Sequence, residues 1–299
     1  MIEVLNISNQ HLTSLPDNLP QSLQELYCHI NQLISLPDNL PQSLKTLNCD
    51  LNNLTSIPEN LPQSLKELYC AYNQLISLPD NLSQSLQKLY CENNQLTKLP
   101  DNLPQSLQRL VCFNNPLTSL PEILPQNLQI LVCYNNQLTI LPDILPQSLQ
   151  ALSCSSNPLT SLPEILPQSL KELYCSSNQL TSLPEILPQS LQRLDCSNNK
   201  LTILPDLPIS IYSIIIDNNP LEQNYPDIFT YQSTKEIIKY VNKCNGIRRT
   251  KHWLSIVNAS NVFLERYMQR MMHPSHLKTL KENIDIDVDE FMTRYVESL

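Results

Sequence analysis

The sequence predicts a solenoid of short stacked units. A parallel β-sheet lines its concave side, the convex side is extended and polyproline-like, and a small α-helical region follows. Three observations predict it. The chain repeats every 21 residues, with cysteine at 28, 49, 70, 91, 112, 133, 154, 175 and 196, and periods of 20–50 residues mark stacked architectures. Within a unit, Leu26 and Cys28 alternate with Glu25, Tyr27 and His29, the two-residue period of a strand with one face turned inward. The other half of the unit, Leu36 to Ser43 for example, carries two prolines. Proline inside a helix costs ~3 kcal/mol and pushes the preceding residue to extended geometry, so this half is extended, with room for a 3₁₀ turn.

Nine full units run without insertion, and partial units flank them with Ile7 and Ile216 in the cysteine slot. The last unit is one residue shorter, reading PDLPIS where its neighbour reads PEILPQS. Three residues after each cysteine stands an asparagine, from Asn31 to Asn199. It is predicted to turn inward and satisfy main-chain groups of the turn, as buried polar groups require. Leu33 and Leu36 fill the core behind it. Ten or eleven strands at ~4.8 Å spacing make a stack of about 50 Å.

Composition narrows the function. The 299 residues include 24 prolines and a single glycine. Glycine-rich phosphate loops (GxGxxG, GxxxxGK[ST]) and a GxSxG nucleophile elbow are therefore excluded. A net charge of −9 argues against a general grip on nucleic-acid phosphates. The longest apolar-rich stretch, Ile209 to Ile216, is broken by serines and falls far short of the ~18–20 residues of a membrane helix. The start, MIEVLNISNQ, lacks the basic, apolar and cleavage regions of a secretory signal. The expectation is a soluble, cytoplasmic chain with no membrane and no nucleic-acid partner, whose ten cysteines are thiols.

Cysteines in register on adjacent strands would sit ~5 Å apart, within disulfide range. Ile7 and Ile216 fill the same slot, however, and neither oxidises nor binds metal. The column is read as packing, since free cysteine behaves as a small buried hydrophobe. No CxxC is present, and no metal or cofactor site is expected.

The core L-x-x-L-x-C-x-x-N-x-L, Leu23 to Leu33 for instance, resembles the leucine-rich-repeat family, and the resemblance covers residues 1–221. It implies a leucine-rich-repeat solenoid, a right-handed superhelix of about ten to eleven units. The short unit, with its L-P-x-x-L-x-x-L-x-x-x-x-N-x-L-x-x-L-P pattern, resembles type III effectors that enteric bacteria inject into host cells. The cysteine column and the Asn/Ile-rich composition look closer to leucine-rich-repeat proteins of giant amoeba-infecting viruses. Some of the bacterial effectors carry a C-terminal ubiquitin-ligase domain with a catalytic cysteine. That domain is far larger than this tail, and its C-x-D motif is absent, because Asn245 and Gly246 follow Cys244. Lys243 is adjacent in sequence, but adjacent residues on a helix point apart, so it is not the neighbour that a thiolate nucleophile needs. The resemblance therefore stops at the repeats, and no catalytic residue is expected.

Solenoids of this kind bind along the concave sheet. Three outward columns vary while the frame does not. They converge on Tyr69, Tyr90, Arg109, Val111, Phe113, Ile130, Val132 and Tyr134, expected on one face across units three to six. Tyr and Arg are enriched at hot spots. The plainer reading is that outward aromatics stack across strands to stabilise the sheet. Further along, Ser153, Ser155, Ser156, Ser176 and Ser177 make a bland polar stretch.

Residues 1–221 carry 8 Lys+Arg against 18 Asp+Glu, and residues 222–299 carry 11 against 10. That shift sets the boundary between the solenoid and a helical cap with a small helical module. Thr234 to Cys244 places Ile237, Ile238, Val241 and Cys244 on one helical face and is expected to cap the core. A second helix is predicted over Asn258 to Met272, ended by Pro274. Between them, Arg248, Arg249, Lys251, His252 and Trp253 are read as a solvated loop. Shorter helical patterns follow at Ser275–Asn283 and around Val288–Tyr295. A zinc site from His273 and His276 with Cys244 or His252 has weak spacing and is not adopted.

The function expected is a non-enzymatic protein-protein interaction scaffold whose partner is a protein, a host protein if the chain is viral or effector-like. An adaptor whose tail docks on a second complex is the alternative, and a ubiquitin-ligase-like activity ranks last. The first unit begins without a capping helix, and exposed edges template pairing, so self-association through the N-terminal edge is also expected.

Overall fold

What one 21-residue turn must do with its main-chain polar groups sets the fold. The computed structural model describes residues 3–16 and 18–271. Eleven three-residue strands run from β1 (Val4–Asn6) and β2 (Glu25–Tyr27) to β11 (Ser213–Ile215) in one parallel sheet whose order follows the sequence. The register advances by whole units, with Leu5 opposite Leu26 and Leu47 opposite Leu68. At the shortened unit Leu194 lies opposite Ile214, so the missing residue is absorbed outside the strands. Leu26, Cys28 and Leu33 and their equivalents through the full units are buried. Each buried leucine is worth about 2 kcal/mol.

The cysteine column is packing. All nine repeat cysteines are free and buried. Each thiol in the first units lies against the next strand's carbonyl, Cys28 Sγ at 3.3 Å from Asn48 O and Cys49 Sγ at 3.2 Å from Tyr69 O. Burial pushes the thiols of Cys28, Cys112, Cys154 and Cys196 up to about 12. The thiolate is the reactive form, so the column is chemically quiet at neutral pH. Ile216 fills the same slot, 3% exposed.

The asparagine ladder is as expected and extends one rung further, to Asn219. Asn115 Nδ2 donates to Cys91 O in the preceding unit and to Cys112 O in its own, both at 3.1 Å, while its Oδ1 accepts from Leu96 N–H at 3.0 Å. Asn52 and Asn199 repeat the same three bonds. The residue before each of these asparagines is left-handed: Ile30 at φ 54, Leu51 at 55, Tyr72 at 53, then Asn93, Asn114 and Asn135. Asparagine tolerates this region, but a β-branched side chain there is an outlier.

In place of the 3₁₀ turn allowed for in the proline-rich half, each unit closes a β-turn. Leu44 N–H donates to Pro41 O at 3.0 Å, and Leu107 N–H to Pro104 O at 3.0 Å. Proline fits because the turn uses its carbonyl and not its missing N–H. A serine in that turn forms a second ladder. Ser43 Oγ lies 2.8 Å from Gln21 O and 2.7 Å from Leu23 O, and Ser64, Ser106, Ser148, Ser169 and Ser190 repeat the contact.

The last open turn of the core is covered earlier than the helix expected to do it. Leu221, Tyr225 and Ile228, from a linker and a 3₁₀ turn (Ile228–Thr230), are wholly buried. Tyr225 Oη donates to Leu204 O at 3.0 Å and accepts from Leu204 N–H at 3.1 Å. Ile238, from the first turn of the following helix, is buried as well. Residues up to Ile238 form one compact unit and residues from Lys239 a second.

The two predicted helices with a loop between them are one helix, α1 (Thr234–Met271). The loop reading of Arg248–Trp253 fails because no proline lies between Pro226 and Pro274 and one interior glycine costs only ~1 kcal/mol. Thr250 Oγ1 donates to Gly246 O at 2.9 Å. His273, His276 and the predicted helices at 275–283 and 288–295 lie outside the described residues.

Replacing Asn115 by alanine strands a buried N–H and two carbonyls. Urea unfolding of Asn115→Ala is expected to read about 3 kcal/mol less stable. Ile30→Asn removes a β-branched residue from the left-handed region at a site 45% exposed, and is expected to read about 1 kcal/mol more stable in the same assay.

Candidate functional site

The outward side chains of four adjacent strands meet as the register requires. β4 (Glu67–Tyr69), β5 (Lys88–Tyr90), β6 (Arg109–Val111) and β7 (Ile130–Val132) align Tyr69, Tyr90, Val111 and Val132 in one row, with Lys88, Arg109 and Ile130 in the next. The rings of Tyr69 and Tyr90 stack at 4.8 Å and 18°, those of Phe113 and Tyr134 at 4.3 Å and 11°. Arg109 Nη1 donates to Tyr90 Oη at 3.1 Å. Tyr69 Oη donates to Glu67 at 2.9 Å, and Glu67 also pairs with Lys88 at 2.8 Å. Burial, then this bond to Glu67, pushes the Tyr69 phenol well above its ordinary range. Seven of the eight residues singled out in the sequence are half-buried on this face; Val111 is buried, at 7% exposure.

Sequence reasoning missed the carboxylates beside them. The column after cysteine begins His29, Asp50, Ala71, Glu92, so both acids flank the buried Ala71 and are themselves half-buried. Burial pushes the Asp50 carboxyl up to about 6, against the opposing pull of an Ala71 N–H donated to Oδ1 at 2.6 Å. Burial pushes Glu92 to about 7, and the charge of Asp50 adds to the rise. Among the described residues, His29 Nδ1, Glu92 Oε2 and Asn93 Nδ2 are buried atoms without a hydrogen-bond partner. The available signal was an alanine between two acids, in the half of the column that otherwise carries large side chains. In the later units this column is serine, with Ser176 Oγ bonded to Ser155 Oγ at 3.0 Å, while the strand positions beside it pair Arg193 with Glu172 at 2.9 Å.

The site thus joins two aromatic stacks, a guanidinium and two carboxyls that burial raises toward neutrality, on one sheet face. It offers stacking surface and a place for a cation.

Known proteins share this frame. The family model "Leucine Rich Repeat" matches residues 85–105, and "Leucine Rich repeats (2 copies)" matches residues 168–209. YopM from Yersinia enterocolitica WA-314 is 42% identical with a TM-score of 0.69, covering 73% of this chain and 47% of its own. YopM from Yersinia pestis, a leucine-rich effector protein, is 40% identical with a TM-score of 0.67, covering 73% of this chain and 61% of its own. The match thus spans about half to three-fifths of the Yersinia chains. A chain of the octameric complex of latrophilin 3, Unc5D and the leucine-rich-repeat protein FLRT2 shares the fold at 23% identity, with a TM-score of 0.58, 78% of this chain and 88% of its own being covered. No curated protein matches the sequence. With its 21-residue register, its asparagine ladder and these likenesses, the chain belongs to the leucine-rich-repeat family.

Proposed function

We propose that the chain is a non-enzymatic protein-protein interaction scaffold that holds one protein partner on the sheet face of units three to six, in the cytoplasm of a host cell. The observation that carries this reading is the cluster of Tyr69, Tyr90, Arg109, Phe113 and Tyr134, stacked and hydrogen-bonded in place. Side chains already held by one another lose little freedom on binding, and Tyr and Arg concentrate binding energy. Asp50 and Glu92 add the polar part: a partner's lysine or arginine seated beside them restores the charge that burial suppresses. The host-cell setting rests on the likeness to the Yersinia effector repeats, and the partner's being a protein agrees with the assembly in which FLRT2 is found. A second reading, an adaptor whose tail engages another complex, draws on Trp253 of α1, 60% exposed and close in sequence to Arg248, Arg249 and Lys251.

The test is affinity capture from host-cell extract with the full chain, its Tyr90→Ala/Phe113→Ala/Tyr134→Ala variant and its Trp253→Ala variant. Loss of the partner with the first variant, at an unchanged melting temperature, is expected; retention there and loss with Trp253→Ala would move the function to the tail.

The two carboxyls give opposite pH signs for stability and binding. Their folded pKa values lie above the unfolded ones, so between about pH 4 and 7 the folded chain holds protons that the unfolded chain releases. Stability from this source is fully present below about pH 4 and falls as pH rises, until it is lost above the folded values of about 6 and about 7. A cationic partner instead favours the ionised form, so affinity falls as pH drops through the same window. Calorimetry across pH 5–8 is expected to find both trends, and both are expected to flatten in Asp50→Asn/Glu92→Gln.

A further inference from the structure

In units one to five the position that follows the acidic residue is asparagine: Asn18, Asn39, Asn60, Asn81 and Asn102, all exposed. In units six to nine it is isoleucine: Ile123, Ile144, Ile165 and Ile186, at 70%, 74%, 74% and 70% exposure. The fold does not require the change, since asparagine serves the same slot five times and the core leucines on either side are equally buried. Four large apolar side chains in consecutive register, each about three-quarters in water, form a continuous exposed stripe of the kind that marks an interaction site.

The stripe has a built surround. Two successive grooves, of about 730 and about 720 Å³, lie between Ile144 and Ile165 and between Ile165 and Ile186. Each groove is floored by buried leucines and edged by carboxylates, Asp143 and Glu164 in the first and Glu164 and Glu185 in the second. All three acids are exposed. An apolar row with a parallel acidic row selects an occupant with the complementary pair of rows, apolar side chains flanked by lysine or arginine. The spacing selects its shape. Rungs step at ~4.8 Å, close to the 5.4 Å pitch of an α-helix, so a helix laid along the stripe presents about one apolar residue per rung.

We propose that Ile123, Ile144, Ile165 and Ile186, with Asp143, Glu164 and Glu185, form a second docking surface that takes a basic amphipathic helix of a partner protein. It is separate from the sheet-face site and does not depend on it.

The test uses the full chain and two synthetic 18-residue helical peptides with the same leucine stripe, one flanked by lysine and the other by glutamate, read by fluorescence anisotropy. The lysine peptide is expected to bind, and to bind at least about tenfold more weakly to Ile144→Asn/Ile165→Asn/Ile186→Asn. It is expected to weaken with added salt and in Glu164→Gln/Glu185→Gln, while the glutamate peptide stays unbound. Tyr90→Ala/Phe113→Ala/Tyr134→Ala should bind the lysine peptide as the native chain does. Equal binding to the native and asparagine-substituted chains, equal binding of the two peptides, or loss of binding in the sheet-face variant overturns the proposal. So does native sedimentation as an oligomer that the asparagine substitutions dissolve, because the occupant is then a second copy. Should the asparagine variant fail to fold, the carboxylate variant decides: unchanged affinity there overturns the charge pairing on which the choice of partner rests.

Discussion

Each inward asparagine answers two problems with one side chain. The turn after the strand leaves main-chain carbonyls and an N–H inside the core, where an unpaired group costs about 1–3 kcal/mol. The carboxamide of Asn115 has two hydrogens for Cys91 O and Cys112 O and an oxygen for Leu96 N–H, so it closes its own turn and fastens the preceding one. Everything else in the unit follows from keeping that residue in register. The strand need be only three residues long because the ladder carries the alignment onward. The slot three residues before the asparagine is filled by a buried cysteine in every full unit, and in the first of them the sulfur lies against the next strand's carbonyl. The serine turn does on the proline-rich half what asparagine does beside the sheet, tying each loop to the one before it.

The solenoid was legible because its causes are local and repeated. A 21-residue period, an alternating strand and an asparagine at a fixed offset each have one physical reading, and nine copies remove the ambiguity. The serine ladder escaped because serine in a proline-rich turn has several ordinary roles; only the fold brings its hydroxyl to the carbonyls of Gln21 and Leu23. Tyr225 escaped for a similar reason, since nothing in a lone Tyr-Pro signals that its hydroxyl will meet both polar groups of Leu204. In the tail both expected helical segments are helix as far as Met271, and the break expected between them is absent, because no proline enforces one. On the sheet face the aromatic cluster was visible as outward columns. Asp50 and Glu92 were visible only as letters: burial raises them, and that burial is a property of the fold.

The variable positions divide along the chain. In the column after the cysteine, units five and six carry Phe113 and Tyr134 where units seven to nine carry Ser155, Ser176 and Ser197. Units six to nine place their isoleucines on the proline-rich half, where units one to five carry asparagine. In a stack whose members contact only their neighbours, each face of each unit can change without disturbing the frame. The shortened last unit fits this division, since the residue it lacks leaves no place for a fifth isoleucine between Asp206 and Leu207.

The left-handed corner of every turn is a place where glycine would be the default, yet the repeats use none. Ile30, Leu51 and Tyr72 accept steric strain there, and the asparagines and serines of later units accept less. The same choice acts on the unfolded chain. A polypeptide with one glycine and 24 prolines has fewer accessible conformations than one with flexible corners, and so has less disorder to surrender when it coils. Strain held at the corners of the folded solenoid is thus set against a denatured ensemble that is already stiff.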